Sequence, residues 1–369
     1  MRPHSDQLAE VLTDSFSRRL IADVFHGTER VMEDLPLIGW SLDGDLFAEV
    51  KHGGRGTVVH NSVQGESLTP EGTEGVLSPF RARLFLLMEI TAGDFSETIA
   101  LGWFRITDVP YAKDSLADVN GQSVIMGSVV ELVLESLDIE PRDRGFKSEE
   151  QPPSLASVYG ELRRIAGLPI LETVPDRAIP APIVYEATQG GRLKGMQSLA
   201  ALLGGRLVPN SSGALVVIPD APGDIVGSLE IGPNGTVTDV PYSVDTKDVY
   251  NCIVGNFEDA DRNPIFEVAE ATVGPLATSG FYAEKTLYVT SQTVQTRAAA
   301  KAFVDDRLAQ STGTQNFNVP IQCIVNPLFE LGDPLDLKGH VRPLKGRLVK
   351  YSISDSPMMT VTLASSRAL

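Results

Sequence analysis

Two pairs of stretches toward opposite ends of the chain read in the same order, and this echo limits what the chain can fold into. In the first pair, Leu101-Gly102-Trp103-Phe104-Arg105-Ile106-Thr107-Asp108 leads through a turn-rich gap to Val129-Val130-Glu131-Leu132-Val133-Leu134-Glu135-Ser136. In the second, Gly346 to Asp355 turns at Ser356-Pro357 into Met358 to Ser365. Each leading strand sets a basic residue among β-formers and closes on Asp. Each following strand alternates small polar with apolar residues, the period-2 pattern of a half-buried strand. Two such hairpins imply two similar antiparallel β-domains, one toward each end, which is an architecture suited to building a ring.

With 369 residues the chain exceeds what one core fills, and several domains of about 100–150 residues are expected. The Gly and Pro content, 33 and 24 residues, suits many short strands joined by turns. Residues 5–15 read as a short amphipathic helix capped by Ser5, with Leu8, Val11 and Leu12 on one face. Strands follow over Arg18–Phe25, Arg30–Leu37, Phe80–Ile90, Thr98–Asp108 and Val124–Leu137. Gly53-Gly54-Arg55-Gly56 reads as a turn and 65–76 as a loop. Together these give a first antiparallel barrel over 1–140. Residues 141–153, charged and proline-ended, read as a linker.

Composition changes after it. A helix capped by Ser154 carries Leu155, Val158, Tyr159, Leu162 and Ile165 on one face and stops at Gly167. A second helix spans Leu193–Leu203, and two strands flank the turn Asn210-Ser211-Ser212-Gly213. This predicts a small α+β domain over 154–220. The remainder reads as a second barrel, 221–257 and 313–369, interrupted by a lobe at 258–312. That lobe holds a helix from about Thr293 to Ala309 with Ala298, Ala302, Phe303 and Leu308 inward. The fold class is mainly β with an α+β insertion.

Chemistry is sparse. The five histidines, His4, His26, His52, His60 and His340, form no HExxH or His-x-His pair, which disfavours a zinc hydrolase. His52 and His60 read as exposed polar residues beside the glycine turn. No GxSxG elbow and no GxxxxGK[ST] loop occurs. Asp259, Asp261, Asn263 and Glu270 fall at positions 1, 3, 5 and 12 of a calcium-loop spacing, but Pro264 stands where the sharp turn needs glycine, and an acidic hairpin turn is the simpler reading. The acidic pairs Asp43/Asp45, Glu149/Glu150 and Asp305/Asp306 read as solvated charge in loops, in the linker and on a helix face, not as a glycosidase pair. Cys252 and Cys323 are too few for a structural zinc site. They read as buried apolar residues, with a disulfide between them left open. No apolar run of 18 residues and no apolar leader segment occurs, so neither a membrane-spanning helix nor a signal peptide is expected. The net charge of −17 excludes the basic face that grips nucleic acid.

Three sets of residues then combine. Met1-Arg2-Pro3-x-Ser5-Asp6, Arg18-Arg19 before Ala22-Asp23-Val24, and Leu101 to Val109 resemble the N-terminal domain of tail proteins from phages infecting actinobacteria. Ala166-Gly167-Leu168-Pro169, Met196-Gln197-x-Leu199-Ala200 and Leu215 to Pro219 resemble the central domain of tail hub proteins. Pro327 to Leu337, with Gly332-Asp333-Pro334 and the closing strand pair, is similar to their second tube-like barrel. The resemblance implies a non-enzymatic hub that forms a homotrimer at the distal end of a siphophage tail tube and sits at the tail tip of the virion, assembled in the host cytoplasm. Two tube-like barrels per subunit would adapt a sixfold tube to a threefold tip. It further implies as partners the distal tail or tail tube protein, the tape measure protein and a downstream tail-tip or fibre protein. Genome DNA would pass through the lumen unbound, and no cofactor or membrane would be involved. A receptor- or carbohydrate-binding tip protein is the alternative, but Trp40 and Trp103 are the only tryptophans, and Trp103 falls within a strand.

Overall fold

A computed structural model describes residues 1–369 apart from 63–64, 181–182, 222, 234, 242–248, 260–262, 291–293, 295, 341–343 and 369. The chain divides into two compact units, Met1–Val240 with Pro320–Leu363 and Pro241–Val319 with Ala364–Leu369. In the first, helix α1 (Asp6–Val11) is capped as expected, Leu8 N–H donating to Ser5 Oγ. Strands β1 (Ser17–His26), β2 (Glu29–Asp45), β3 (His52–Asn61), β4 (Ala82–Ala92), β5 (Phe95–Val119) and β6 (Gln122–Ser136) follow. Their antiparallel order is β1-β4-β5-β6-β3-β2, and β2 pairs back onto β1, so the barrel closes.

The core follows the strand period. Leu84, Leu86, Met88 and Ile90 of β4 are buried, as are Leu20 and Val24 of β1, Phe104 and Ile106 of β5, and Leu132 and Leu134 of β6. Gly102 has φ +135 and lies at a bulge. Leu86 opposes Gly102 and Leu87 opposes Ala100, so Leu101 is the extra residue. The slip moves the inward phase from Ile99 and Leu101 to Phe104 and Ile106.

Two expectations are corrected here. The interval after Asp108 is no turn-rich gap. β5 runs on to Val119, and Asn120 and Gly121, with φ of 54 and 80, turn it directly into β6, the two-residue hairpin turn that Asn-Gly favours. Gly53-Gly54-Arg55-Gly56 is no turn either, since it lies within β3. A Cβ on Gly54 would stand 2.4 Å from Leu42 Cδ2, and one on Gly56 2.8 Å from Leu37 Cδ2. Glycine is needed there because β2 side chains cross the β3 backbone. Asp43 and Asp45 accordingly sit on β2, not in a loop.

The α+β region comprises α2 (Ile139–Asp143), α3 (Val158–Ala166), β7 (Ile170–Leu171), α4 (Gly191–Leu202), β8 (Gly205–Pro209) and β9 (Leu215–Pro219). Ser157, not Ser154, caps α3, because its Oγ accepts the Gly160 N–H at 2.8 Å. Tyr159, Leu162, Ile165, Met196, Leu199 and Leu215 share one buried cluster. The 141–153 stretch is drawn into that cluster. Phe146 stacks on Tyr185 at 5.2 Å, and Glu150 and Tyr185 exchange backbone hydrogen bonds.

Strands β10 (Gly227–Glu230) and β11 (Val237–Asp239) follow. The second unit holds β12 (Cys252–Glu258), β13 (Pro264–Glu270), β14 (Thr286–Val289) and α5 (Arg297–Gly313). The sheet order is β13-β12-β14, so Cys252–Glu258 pairs within this unit. The buried face of α5 is Ala300 and Val304, with Leu308 packed beside them. Of the residues expected inward, Ala298, Ala302 and Phe303 are exposed, Phe303 keeping only an edge contact with Phe257, because the apolar residues of this helix support more than one phase.

Strands β15 (Thr314–Ile324), β16 (Pro334–Lys338), β17 (Leu344–Ser354) and β18 (Met358–Ala368) complete the chain. The order β16-β17-β18-β15-β11 matches β4-β5-β6-β3-β2 strand for strand, in the same chain order. The echoing hairpins β5–β6 and β17–β18 occupy the same place in each. β10 lies beside β16 where β1 lies beside β4, but parallel to it, and it pairs with no second strand among the described residues.

Phe104, 3% exposed, tests the phase set by the bulge. Phe104→Asp places an unpaired charge in the barrel core and is expected to cost upward of about 4 kcal/mol. Soluble yield and the thermal midpoint should both collapse, and an unchanged midpoint would place residue 104 outside the core.

Candidate functional site

The two β-modules meet along β2 and β17. Ser41–Asp45 pairs with Ser354–Lys350, and Lys350 Nζ lies 2.7 Å from Asp45. Arg18 of β1 reaches across the joint. Its guanidinium lies 5.6 Å from the Trp40 ring centre and donates to the carbonyls of Ser354, at 2.9 Å, and Ser356. Trp40 and Asp355 close the same corner, Trp40 N–H donating to Asp355 Oδ2 and Asp355 N–H to the Trp40 carbonyl. Burial lowers the Arg18 pKa, with Asp355 acting against it. One cation thus satisfies the carbonyls of a turn that the strand ladder cannot reach.

A second cluster ties down the start of the chain. Arg2, 5% exposed, donates through Nη1 to the carbonyls of Pro327 and Phe329, both at 2.6 Å. The Met1 ammonium lies 2.6 Å from Asp333 Oδ1, and Asp333 Oδ2 accepts the Glu330 N–H. Tyr351 Oη and His52 Nδ1 are 3.0 Å apart. Burial, then the charge of Arg2, pushes the His52 pKa down to about 3, against the opposing hydrogen bond of the Pro209 carbonyl. A neutral imidazole has one N–H and one bare nitrogen, so His52 and the Tyr351 hydroxyl form a single uncharged hydrogen bond through Nδ1. His52 is therefore a neutral structural link, not an exposed polar residue. A cavity of about 290 Å³ lies here, lined by Arg2, His52, Asn210, Ser211, Glu330 and Asp333 among others.

Beside it, Asp138 is 2% exposed. Its carboxylate accepts the Lys51 N–H at 2.8 Å and the Ser136 hydroxyl at 2.6 Å, and Ser136 Oγ accepts the His52 N–H. Burial raises the Asp138 pKa to about 6 despite these hydrogen bonds and nearby Lys51. Burial also lowers the Lys51 ammonium, with Asp138 opposing.

The arm of β5 and β6 is the third feature. Asp114 Oδ1 accepts from the hydroxyls of Ser67, Thr69 and Ser128. Desolvation raises its pKa, but these three donors outweigh it and the net shift is downward. The cage pins the loop after β3 to the arm, which leaves Tyr111, Leu116, Val119 and Met126 exposed.

The sequence-picked acidic positions disperse. Asp259 holds its own turn, accepting from Asn263 N–H and Nδ2. Glu270 lies at the far end of β13 opposite Cys252, and Asp261 lies outside the described residues. No group of three or more His, Cys, Asp or Glu residues that could hold a metal occurs among the described residues. Cys252 and Cys323 are buried free thiols, and burial raises Cys323 to about 12. Glu150 binds Arg164 at 3.1 Å, and Asp305 binds Lys301 on α5. Sequence reasoning missed Arg2, Lys51 and Asp138, whose burial carries no local signal.

No protein-family model and no curated protein matches the sequence. Solved structures of similar fold include the tail protein from Neisseria meningitidis MC58, at 12% identity and TM-score 0.59 over 94% of this chain and 96% of that one. The prophage MuSo2 43 kDa tail protein from Shewanella oneidensis matches at 10% identity and TM-score 0.58, over 94% and 98%. The prophage tail protein gp18 from Listeria monocytogenes EGD-e matches at 12% identity and TM-score 0.51, over 94% of each chain. At these identities the likeness is one of fold.

Asp138 and His52 give the cluster opposed pH responses. The Asp138 pKa is raised on folding, so its contribution is complete below its ordinary value of 3.8 and lost as pH rises through 6. The His52 pKa is depressed, so its contribution is complete above 6.5 and lost as pH falls toward 3. Between about pH 6 and 4 the two slopes, each about 1.4 kcal/mol per pH unit, cancel. Asp138→Asn should uncover the His52 slope, and urea midpoints should show roughly 2–3 kcal/mol more acid destabilisation than the parent over that window. Identical profiles for variant and parent would contradict this assignment.

Proposed function

We propose that this chain is a structural phage-tail component, a hub whose copies form a trimeric ring at the distal end of the tail tube. The observation that carries this reading is the repeated strand order, two β-modules of one topology joined side by side on a single chain. Three copies then present six modules of one kind, the condition under which a threefold ring can seat on a sixfold tube. The likeness in fold to tail proteins supports the same reading.

On this reading residues 1–140 form the first tube-like module, 141–153 the connection and 154–220 the α+β domain. The second module takes β10, β11 and β15 to β18 from 221–257 and 313–369, with a lobe between them. The tail tube or distal tail protein, the tape measure protein and a tail-tip or fibre protein are the neighbours. The role is assembly, not catalysis, at the tail tip of a siphophage-type virion with an actinobacterial host, built in the host cytoplasm and inserted in no membrane. A net charge of −17 suits a lumen past which DNA slides without being held.

Mass photometry and electron cryomicroscopy of the purified chain test this. A trimer around an open channel, with the two modules alternating about the axis, is the expected result. A stable monomer that binds cell-wall polysaccharide would overturn it.

A further inference from the structure

Among the described residues one strand pairing joins the two modules, β2 on β17, and it has an open counterpart. β17 pairs with β16 through Leu344–Arg347 and with β2 through Lys350–Ser354. By place in the sheet, β17 corresponds to β5, β16 to β4 and β2 to β11. β5 is divided in the same way. It pairs with β4 as far as Arg105, and beyond Arg105 that edge carries no strand among the described residues. Arg105 and Arg347 hold the same position, each the last residue paired before the edge changes partner. β11 is likewise an end strand, paired with β15 alone among the described residues. The first module thus has an open receiving edge and the second an open end strand. Among the described residues the only pairing of this type inside the chain is β2 on β17.

We infer that a second copy of this chain lays its β11 against the β5 edge beyond Arg105, reproducing between copies the β2–β17 junction made within each. The inference rests on the ring reading above and names the surface that closes the ring. An uncovered strand edge of this length is a template for pairing. On β5 it is flanked by Tyr111, 46% exposed, and Leu116, 64% exposed, which would be buried in the pairing. Lys113 on the open stretch and Asp239 at the end of β11 are both exposed and opposite in charge, as are Lys350 and Asp45 at the joint inside the chain. Pro110 has no N–H and limits the pairing to the stretch after it.

Disulfide trapping in the full chain tests the surface. Tyr111→Cys, Lys113→Cys and Ser115→Cys, each combined with Asp239→Cys, step the register along one face of β5. Side chains opposed on paired strands lie roughly 5 Å apart, within reach of a disulfide. Cys252 and Cys323 are buried, so the single variants serve as controls. Mild oxidation should give covalent species up to the trimer from at least one pair and none from the singles. A trimer by mass photometry with no cross-link from any pair would overturn this edge and leave the ring reading standing. A chain that stays monomeric at micromolar concentration, without cross-links, would overturn both.

Discussion

β2 is 17 residues long, more than one barrel uses, and every backbone donor and acceptor along it needs a partner. Its first half pairs with β1, and from Leu37 it pairs with β3. Its far end, Ser41–Asp45, lies between β3 and β17. One strand therefore closes the first module and carries the second. To do so it must bend, and both bends sit where the backbone adopts positive φ. At Asp34, with φ +53, the extra residues oppose Asp23. That buried carboxylate holds the distortion by accepting the Asp34 N–H and binding Arg30. At Gly39, with φ +55, the register with β3 slips again, and no side chain pays the left-handed cost.

The joint built on β2 is polar at its rim and apolar beneath. Arg18, Trp40 and Asp355 satisfy the turn between β17 and β18, while Leu42 and Ile353, directly paired, are both buried. On the other side, Arg2 serves the carbonyls of 327–329 and Tyr351 meets His52. Removing one polar partner from such a corner costs more than the hydrogen bond itself, because the other partner stays buried.

Much of the fold was legible where periodicity is strong. β4, the strands around Asn210–Gly213 and the β17–β18 hairpin carry clean alternation, and α3 and α4 carry apolar residues at helical spacing that end up buried. The arm of β5 and β6 was not legible. Its outer half on β5 buries no side chain fully, so Ala112 to Asp118 shows no apolar alternation, and only Asn120-Gly121 marks it. The glycines of β3 imitate a turn, and their role depends on side chains of a neighbouring strand. Of the candidate site, Asp355 was visible only as the residue that closes a strand, and Arg18 only through the resemblance, the role of neither being legible. The burial of Asp138, Lys51 and Arg2 arises from partners far away in sequence and leaves no local trace.

The distance in sequence between β2 and β17 has a consequence for synthesis. The first module is contiguous and can form once β6 has emerged, but the strand that covers the end of β2 appears only about 300 residues after it. At roughly 5–20 residues per second, translation leaves that edge bare for tens of seconds. Each nascent chain must pass that interval beside others carrying the same bare edge. Asp43 and Asp45 put two like charges at this end of β2, and charge on an edge strand is what discourages premature pairing. Lys350 then arrives on β17 to neutralise Asp45, so the residue that completes the joint also removes the guard on it.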